Sequence, residues 1–267
     1  MHKHILVPVD LANSGASVNA LEAARAIARR DGARISVVSV VPTWPEDLMA
    51  EEPRDYQPDL DAFLETVSDG TDMSGEVKNG GSISGRIIEA VAKKGIDLVV
   101  MASHDPKMTD YLIGSNAAHV VLHSPCSVMV VRSKEGGGPA KNVLVPVDLA
   151  RADSCLKAVN VGRQIAEAAG GKLAVVNVQQ VMSLDVPKTL DSFKPKLDAF
   201  VQEHAPGAEA MLKIGLSVPS EIRWAADEID ADLVVMASHD PNFTDYLIGS
   251  NAAHVALHTP RSVMVVR

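Results

Sequence analysis

One stretch of the chain concentrates side chains able to do chemistry. It runs Ala102-Ser103-His104-Asp105-Pro106, then Tyr111-Leu112-Ile113-Gly114-Ser115-Asn116-Ala117-Ala118. Ser103, His104 and Asp105 spell the letters of a catalytic triad, but adjacent residues cannot converge on one reacting atom from separate directions. The spacing suits anion binding instead. Gly114 lets a ligand approach the backbone, Ser115 and Asn116 bring N–H groups and side-chain donors, and a helix starting there adds partial positive charge. The phosphate of a nucleotide is the most natural occupant. An N-capped turn that closes a sheet accounts for the same Gly-Ser-Asn letters, so both readings stand. His104 either donates to a phosphate or hydrogen-bonds within its loop. Asp10 lies just past a strand pattern, where a short carboxylate can accept from ribose hydroxyls or an adenine amino group. It can equally form an Asx turn that starts a helix.

Other groupings carry less. His119 and His123 stand four apart, as do His254 and His258, which is metal-pair spacing. No further ligand lies nearby in sequence and Zn²⁺ wants about three or four, so a helix surface is expected. Gly80-Gly81-Ser82-Ile83-Ser84-Gly85 matches neither the Lys-Ser/Thr phosphate loop nor G-x-G-x-x-G, and is expected to begin a helix.

These residues occur twice. Leu6–Ala12 recurs letter for letter as Leu144–Ala150, an offset of 138, and Asp97–Arg132 recurs as Asp232–Arg267 at offset 135 with 31 of 36 residues identical. The middle of the second copy is therefore three residues shorter. Two domains are expected, at 1–133 and 141–267, joined by a glycine-rich flexible linker at 134–140. Cys126 and Cys155 face Arg261 and Ser17 in the other copy, so neither cysteine is expected to belong to a duplicated site.

The elements that must position the candidate residues can be read in one copy. His4–Val9, Arg34–Val41, Asp97–Ala102 and Ser127–Arg132 are short apolar runs that fit buried strands, and a further strand is expected near 71–79. Between them fall helical patterns: one that Ser14 would cap, carrying Val18, Leu21, Ala24 and Ala28; one near 58–69; Ile83–Lys94; and Ser115–His123. Residues 42–58 hold Pro42, Pro45, Pro53 and Pro58 and read as a loop. Strands alternating with helices predict an α/β fold in which each copy is a five-stranded, mostly parallel sheet flanked by helices. Right-handed crossovers put the loops after the strands along one edge, where open α/β sheets bind ligands.

Composition narrows the function classes. Thirty-four acids against 25 bases give a net charge of −9, which argues against a phosphate-backbone binder, and no basic run stands out, so no nucleic-acid partner is expected. No apolar run approaches the ~20 residues of a membrane span, so no membrane partner is expected. The start runs straight into a strand pattern, which predicts no signal peptide. Two cysteines cannot build a disulfide framework. Together these predict a cytoplasmic protein.

The opening V-P-V-D (Val7–Asp10, Val145–Asp148), the strand D-L-V-V-M (Asp97–Met101, Asp232–Met236), the G-S-N-A-A segment and the closing S-V-M-V-V-R resemble the universal stress protein family in its tandem form. The resemblance covers essentially the whole chain. It implies a Rossmann-like adenine-nucleotide-binding fold in each half, the two halves forming an intramolecular pseudo-dimer, with further homodimerisation open. It also implies ATP or AMP as ligand and a regulatory or stress-resistance role. By position, the adenine side falls on Pro8, Asp10 and Val40, and on Pro146, Asp148 and Val178. The phosphate side falls on Gly114, Ser115 and Asn116, and on Gly249, Ser250 and Asn251. The family's G-x-x-G-x9-G-[ST] loop is altered here: Ala102 and Asp105 (Ala237 and Asp240) replace its first two glycines, and the spacer is one residue shorter. A branch with S-H-x-P in this loop looks similar and includes nucleotide binders, which adds Ser103 and His104, and Ser238 and His239. Asp105, Asp110, Asp240 and Asp245 would repel a triphosphate unless Mg²⁺ intervenes or they point away. No general base or activated nucleophile is evident, so any ATPase activity would be slow. An interaction scaffold with vestigial pockets is the rival reading.

Overall fold

The computed structural model describes residues 2–42, 54–103, 113–132, 140–180, 186–238 and 248–267. Most of the expected linker (134–139) and most of the expected 42–58 loop lie outside them. The chain divides into two compact units. The first contains strands β1 (His4–Val9), β2 (Arg34–Val41), β3 (Met73–Asn79), β4 (Leu98–Ala102) and β5 (Ser127–Val131). Its helices are α1 (Ser14–Asp31), α2 (Gln57–Thr66), α3 (Ile83–Lys94) and α4 (Ser115–His123). The second contains β6 (Asn142–Val147), β7 (Lys172–Gln180), β8 (Glu209–Gly215), β9 (Leu233–Ala237) and β10 (Ser262–Val266), with helices α5 (Ala152–Ala168), α6 (Val186–His204), α7 (Val218–Glu228) and α8 (Ser250–His258).

Within the first unit the strand order is β3-β2-β1-β4-β5, and within the second β8-β7-β6-β9-β10. Every pairing inside a unit is parallel. Parallel strands buried on both faces need continuous apolar runs, and the inner strands have them, whereas β3 and β8, outermost beside β2 and β7, do not. Ile5, Leu6, Val7, Leu98, Val99 and Val128 are fully enclosed, as are Leu144, Leu233 and Val265. With aromatics at 3% of the chain, this core is aliphatic. No helix among the described residues is long and apolar enough to cross a membrane.

The expected element order holds, with differences at the ends. The helix expected near 58–69 is Gln57–Thr66 and the strand expected from 71 begins at Met73, because the Ser68-Asp69-Gly70 bend, with Gly70 at φ 83°, intervenes. Ser14 does not cap α1: the position before the helix is Asn13, and it makes no side-chain cap. A turn of 3₁₀ helix, Leu11–Asn13, comes first, and Asp10 caps that. The glycine-rich segment after β3 does begin a helix. Gly80 and Gly81 take φ of 70° and 79°, open to glycine at little cost, and Ser82 Oγ accepts from the Gly85 N–H at 3.1 Å.

Candidate functional site

The topology alone fixes where a ligand crevice opens. β1 connects onward to β2 on one side, whereas the chain leaves β4 for β5 on the other, so the connections diverge between β1 and β4. Such a switch point leaves a gap beyond the carboxyl ends of the two strands. The ladder shows it. β1 and β4 are in register over Ile5–Leu98 and Leu6–Val99, while β4 and β5 stay paired over five positions, as far as Ala102–Val131. Pro8 sits above Leu6, on the stretch where β1 is paired with β2 alone. A proline has no N–H to donate, so it fits a strand where the neighbour has parted. The second unit repeats this: β6 and β9 are in register over Val143–Leu233 and Leu144–Val234, below Pro146. Pro8, Val40, Pro146 and Val178 are all half-buried near the carboxyl ends of their strands.

Asp10 and Asp148 follow directly. Asp10 Oδ1 accepts from the Ala12 N–H at 2.9 Å and Oδ2 from Asn13 Nδ2 at 3.2 Å. Asp148 Oδ1 accepts from the Ala150 N–H at 2.9 Å. Both are Asx-type caps, and both residues are exposed at the carboxyl edge. Beneath each, the backbone is tied to the next helix. The Asp10 N–H donates to Ser17 Oγ at 3.1 Å, and the Asp148 N–H to Cys155 Sγ at 3.3 Å. The expectation that Cys155 has no duplicated role is corrected here, since thiol and hydroxyl are the matching second-row and first-row acceptors. Burial raises the Cys155 thiol pKa, so it stays protonated. The legible signal for these supports was a small polar residue seven positions after each aspartate.

Ser103 continues β4 by one bond, its N–H donating to the Val131 carbonyl at 2.8 Å, and Ser238 does the same with Val266 at 3.0 Å. Their amides are thus spent on the sheet, and only their half-buried hydroxyls can serve a ligand. His104, Asp105, Asp110, His239, Asp240 and Asp245 lie outside the described residues. Among the described residues no group of three or more His, Cys, Asp or Glu could hold a metal ion. The His119 and His123 rings lie 4.3 Å apart between centroids and tilted by 42°, and those of His254 and His258 4.5 Å apart and tilted by 48°, neighbours one turn apart on a helix face.

α4 returns from the carboxyl edge to the start of β5, so its N-terminus lies at that edge. Gly114 occupies the cap position at φ −59°, ψ 151°, with no side-chain cap. Gly249 repeats it at φ −58°, ψ 147°, also uncapped. The Gly-Ser-Asn letters therefore do not encode a Ser or Asn cap: Ser115 and Asn116 are already inside the helix. The first-turn N–H groups of any helix have no acceptor within it, and neither α4 nor α8 has an acid in its first turn. The negative φ means that the backbone does not call for glycine at 114 or 249. Space for something to approach is what a missing side chain supplies.

Comparison with known proteins agrees with this architecture. The model of the universal stress protein family matches residues 1–132 and again 139–267. Universal stress protein G of Salmonella typhimurium is 30% identical over 144 residues, covering 48% of this chain and 99% of that protein. Its Escherichia coli O157:H7 counterpart is 31% identical, covering 49% and 100%. Among solved structures, a functionally unknown protein from Pseudomonas aeruginosa PAO1 superposes with a TM-score of 0.76 at 19% identity, covering 99% of this chain and 92% of that one. A universal stress protein from Archaeoglobus fulgidus DSM 4304 gives 0.63 at 20% identity, covering 99% and 96%. The single-length relatives each match about half of the chain, and the fold of the longer ones matches nearly all of it. With the family matched once in each unit, over strands, switch point and helix start alike, the chain belongs to the universal stress protein family.

Proposed function

We propose that each unit binds an adenine nucleotide, ATP or AMP, at its carboxyl edge, and that the protein works as a nucleotide-responsive regulator and not as a dedicated enzyme. The observation that supports this most is the pair of helix starts behind Gly114 and Gly249, alike in backbone angles, with no side-chain cap among the described residues and without a first-turn acid. Such an arrangement offers several N–H donors and a favourable potential to a phosphate. The adenosine end then lies over the β1/β4 gap, lined by Pro8 and Val40, with the Asp10 carboxylate toward the ribose; Pro146, Val178 and Asp148 do the same in the second unit. Ser115, Asn116, Ser250 and Asn251 add side-chain donors beside the phosphates, and the Ser103 and Ser238 hydroxyls flank them. Mg²⁺ enters this reading only through the four aspartates outside the described residues.

The test is calorimetric titration of the full chain with ATP and with AMP, beside the Gly114→Val, Gly249→Val double variant. At φ near −59° valine is tolerated by the backbone, so the fold should survive while the phosphate loses its approach. Binding in the parent and loss of at least about tenfold in the variant, worth ~1.4 kcal/mol, is the expected result. Unchanged affinity in the variant would refute it. A second reading, an interaction scaffold, is favoured by Leu216 and Trp224, which are 83% and 58% exposed in the second unit. With two Trp and three Tyr in the chain, co-purified adenine would dominate the ultraviolet spectrum. A clean protein spectrum with no heat on titration would favour the scaffold.

A further inference from the structure

The opposite edge of the second unit, where the strands begin, holds a different feature. Arg25 on α1 and Arg163 on α5 are equivalent, 138 apart, yet they meet different surroundings. In the first unit the turn between α2 and β3 closes over Arg25. Its guanidinium donates to the Val67 carbonyl, and Nε lies 3.4 Å from Asp69 Oδ1. The Arg25 side chain is 9% exposed there. In the second unit that turn is shorter. Leu60-Asp61-Ala62-Phe63 matches Leu197-Asp198-Ala199-Phe200 at offset 137 and the following strand matches at 135, so two residues are gone, and Ala205-Pro206-Gly207-Ala208 brings no acid. Arg163 turns instead to its own helix, donating to Glu167 Oε1 at 2.8 Å and Asn160 Oδ1 at 2.9 Å, and is 36% exposed.

The shortened turn borders a cleft of about 530 Å³, lined by Arg163, Glu167, Lys172, Asn142, Glu209 and Glu228 among others. We infer that this cleft is a second ligand site, which takes a small zwitterion of the free amino-acid class. The ligand's carboxylate stands where Asp69 stands in the first unit, on the arginine, with Lys172 and Asn142 beside it. Its ammonium answers Glu167, released when the ligand takes Arg163, and Glu209, while Glu228 is already paired with Lys213. The Arg163–Glu167 pair is a partly exposed pair within one helix, worth little, so a ligand can exchange for it at small cost. The guanidinium fork can then grip the carboxylate with two parallel bonds. The site is on the opposite edge of the sheet from the proposed nucleotide crevice and does not depend on it.

The experiment follows the Arg163 side-chain N–H signals of the full chain by NMR while glycine, L-leucine, L-lysine and L-glutamate are added in turn. L-leucine is paired with 4-methylpentanoate, the same acid without its ammonium. The expected result is a saturable shift with at least one amino acid, and at least about tenfold weaker binding in Arg163→Gln. Lengthening the Pro206–Gly207 turn by the two residues it lacks, one of them Asp, should close the cleft and remove binding with Arg163 intact. No shift with any of the four amino acids, or unchanged binding in either variant, overturns the inference. 4-Methylpentanoate binding as tightly as L-leucine overturns the zwitterion assignment.

Discussion

Asp10 and Asp148 are asked to do two things, and substitution can separate them. Each carboxylate caps the turn that launches the first helix of its unit, accepting an N–H at 2.9 Å, and in the proposed nucleotide complex each also accepts from a ribose. Asparagine retains an oxygen acceptor of the same reach and caps about as well as aspartate, whereas alanine removes the cap at a cost of ~1 kcal/mol. The two caps share no partner, so the double alanine variant should lose ~2 kcal/mol in total. For units of this size that is a fall of roughly 3–6 °C in midpoint per unit affected. Asp10→Asn with Asp148→Asn should melt within about 1 °C of the parent. Its nucleotide affinity should nevertheless fall, because a neutral amide accepts less strongly from ribose hydroxyls than a carboxylate does. Scanning calorimetry gives the first quantity and ATP titration the second. If the asparagine variant loses as much stability as the alanine variant, charge and not hydrogen-bond acceptance holds the turn. If it binds ATP like the parent, the carboxylates are caps and nothing more.

Stability should also respond to pH through His4, which is 5% exposed. Its Nδ1 donates to the Lys94 carbonyl at 3.1 Å and its Nε2 accepts from Ser36 Oγ at 2.8 Å, which fits the neutral ring. Burial, then the Arg34 and Lys94 charges, lower its pKa below 6.5, against the opposing pull of the Lys94 carbonyl hydrogen bond and of Asp97. The stabilisation is therefore complete above the unfolded value near 6.5 and lost as pH falls below it, where the unfolded chain takes the proton first. His4→Asn, which installs the residue found at position 142, should flatten the fall in denaturation midpoint between about pH 7 and 5. Gly171→Ala should destabilise by about 3 kcal/mol, since a Cβ there would lie 2.0 Å from the Lys141 carbonyl oxygen; urea denaturation unchanged from the parent would refute the packing. Leu6→Ala and Leu144→Ala should each cost ~2–5 kcal/mol in the same assay, both side chains being fully enclosed.

The strands were legible in the sequence because a parallel sheet covered on both faces demands unbroken Val, Ile and Leu, and runs such as His4–Val9 and Leu98–Ala102 say so directly. Helix starts were less legible. Ser14 has the right letter for a cap, but the Leu11–Asn13 turn intervenes, and the cap belongs to Asp10 four residues earlier. At Gly114 the letters suggested a Ser or Asn cap, whereas glycine holds that position with an ordinary backbone angle. The gap between β1 and β4 was written in Pro8 and Pro146, prolines inside otherwise central strands, though only the ladder gives them meaning. Least legible was the contrast between Arg25 and Arg163: identical letters on equivalent helices, separated in environment by a turn that begins 42 residues downstream.

Because all the strands in a unit point the same way, the loops that follow the strands and the turns that precede them lie on opposite rims. The turn that lost two residues lies on the rim where strands begin, and the helix starts behind Gly114 and Gly249, on the other rim, differ by only 1° in φ and 4° in ψ. A duplicated domain of this design can therefore differ between its copies along one rim while both keep the same helix-start geometry along the other.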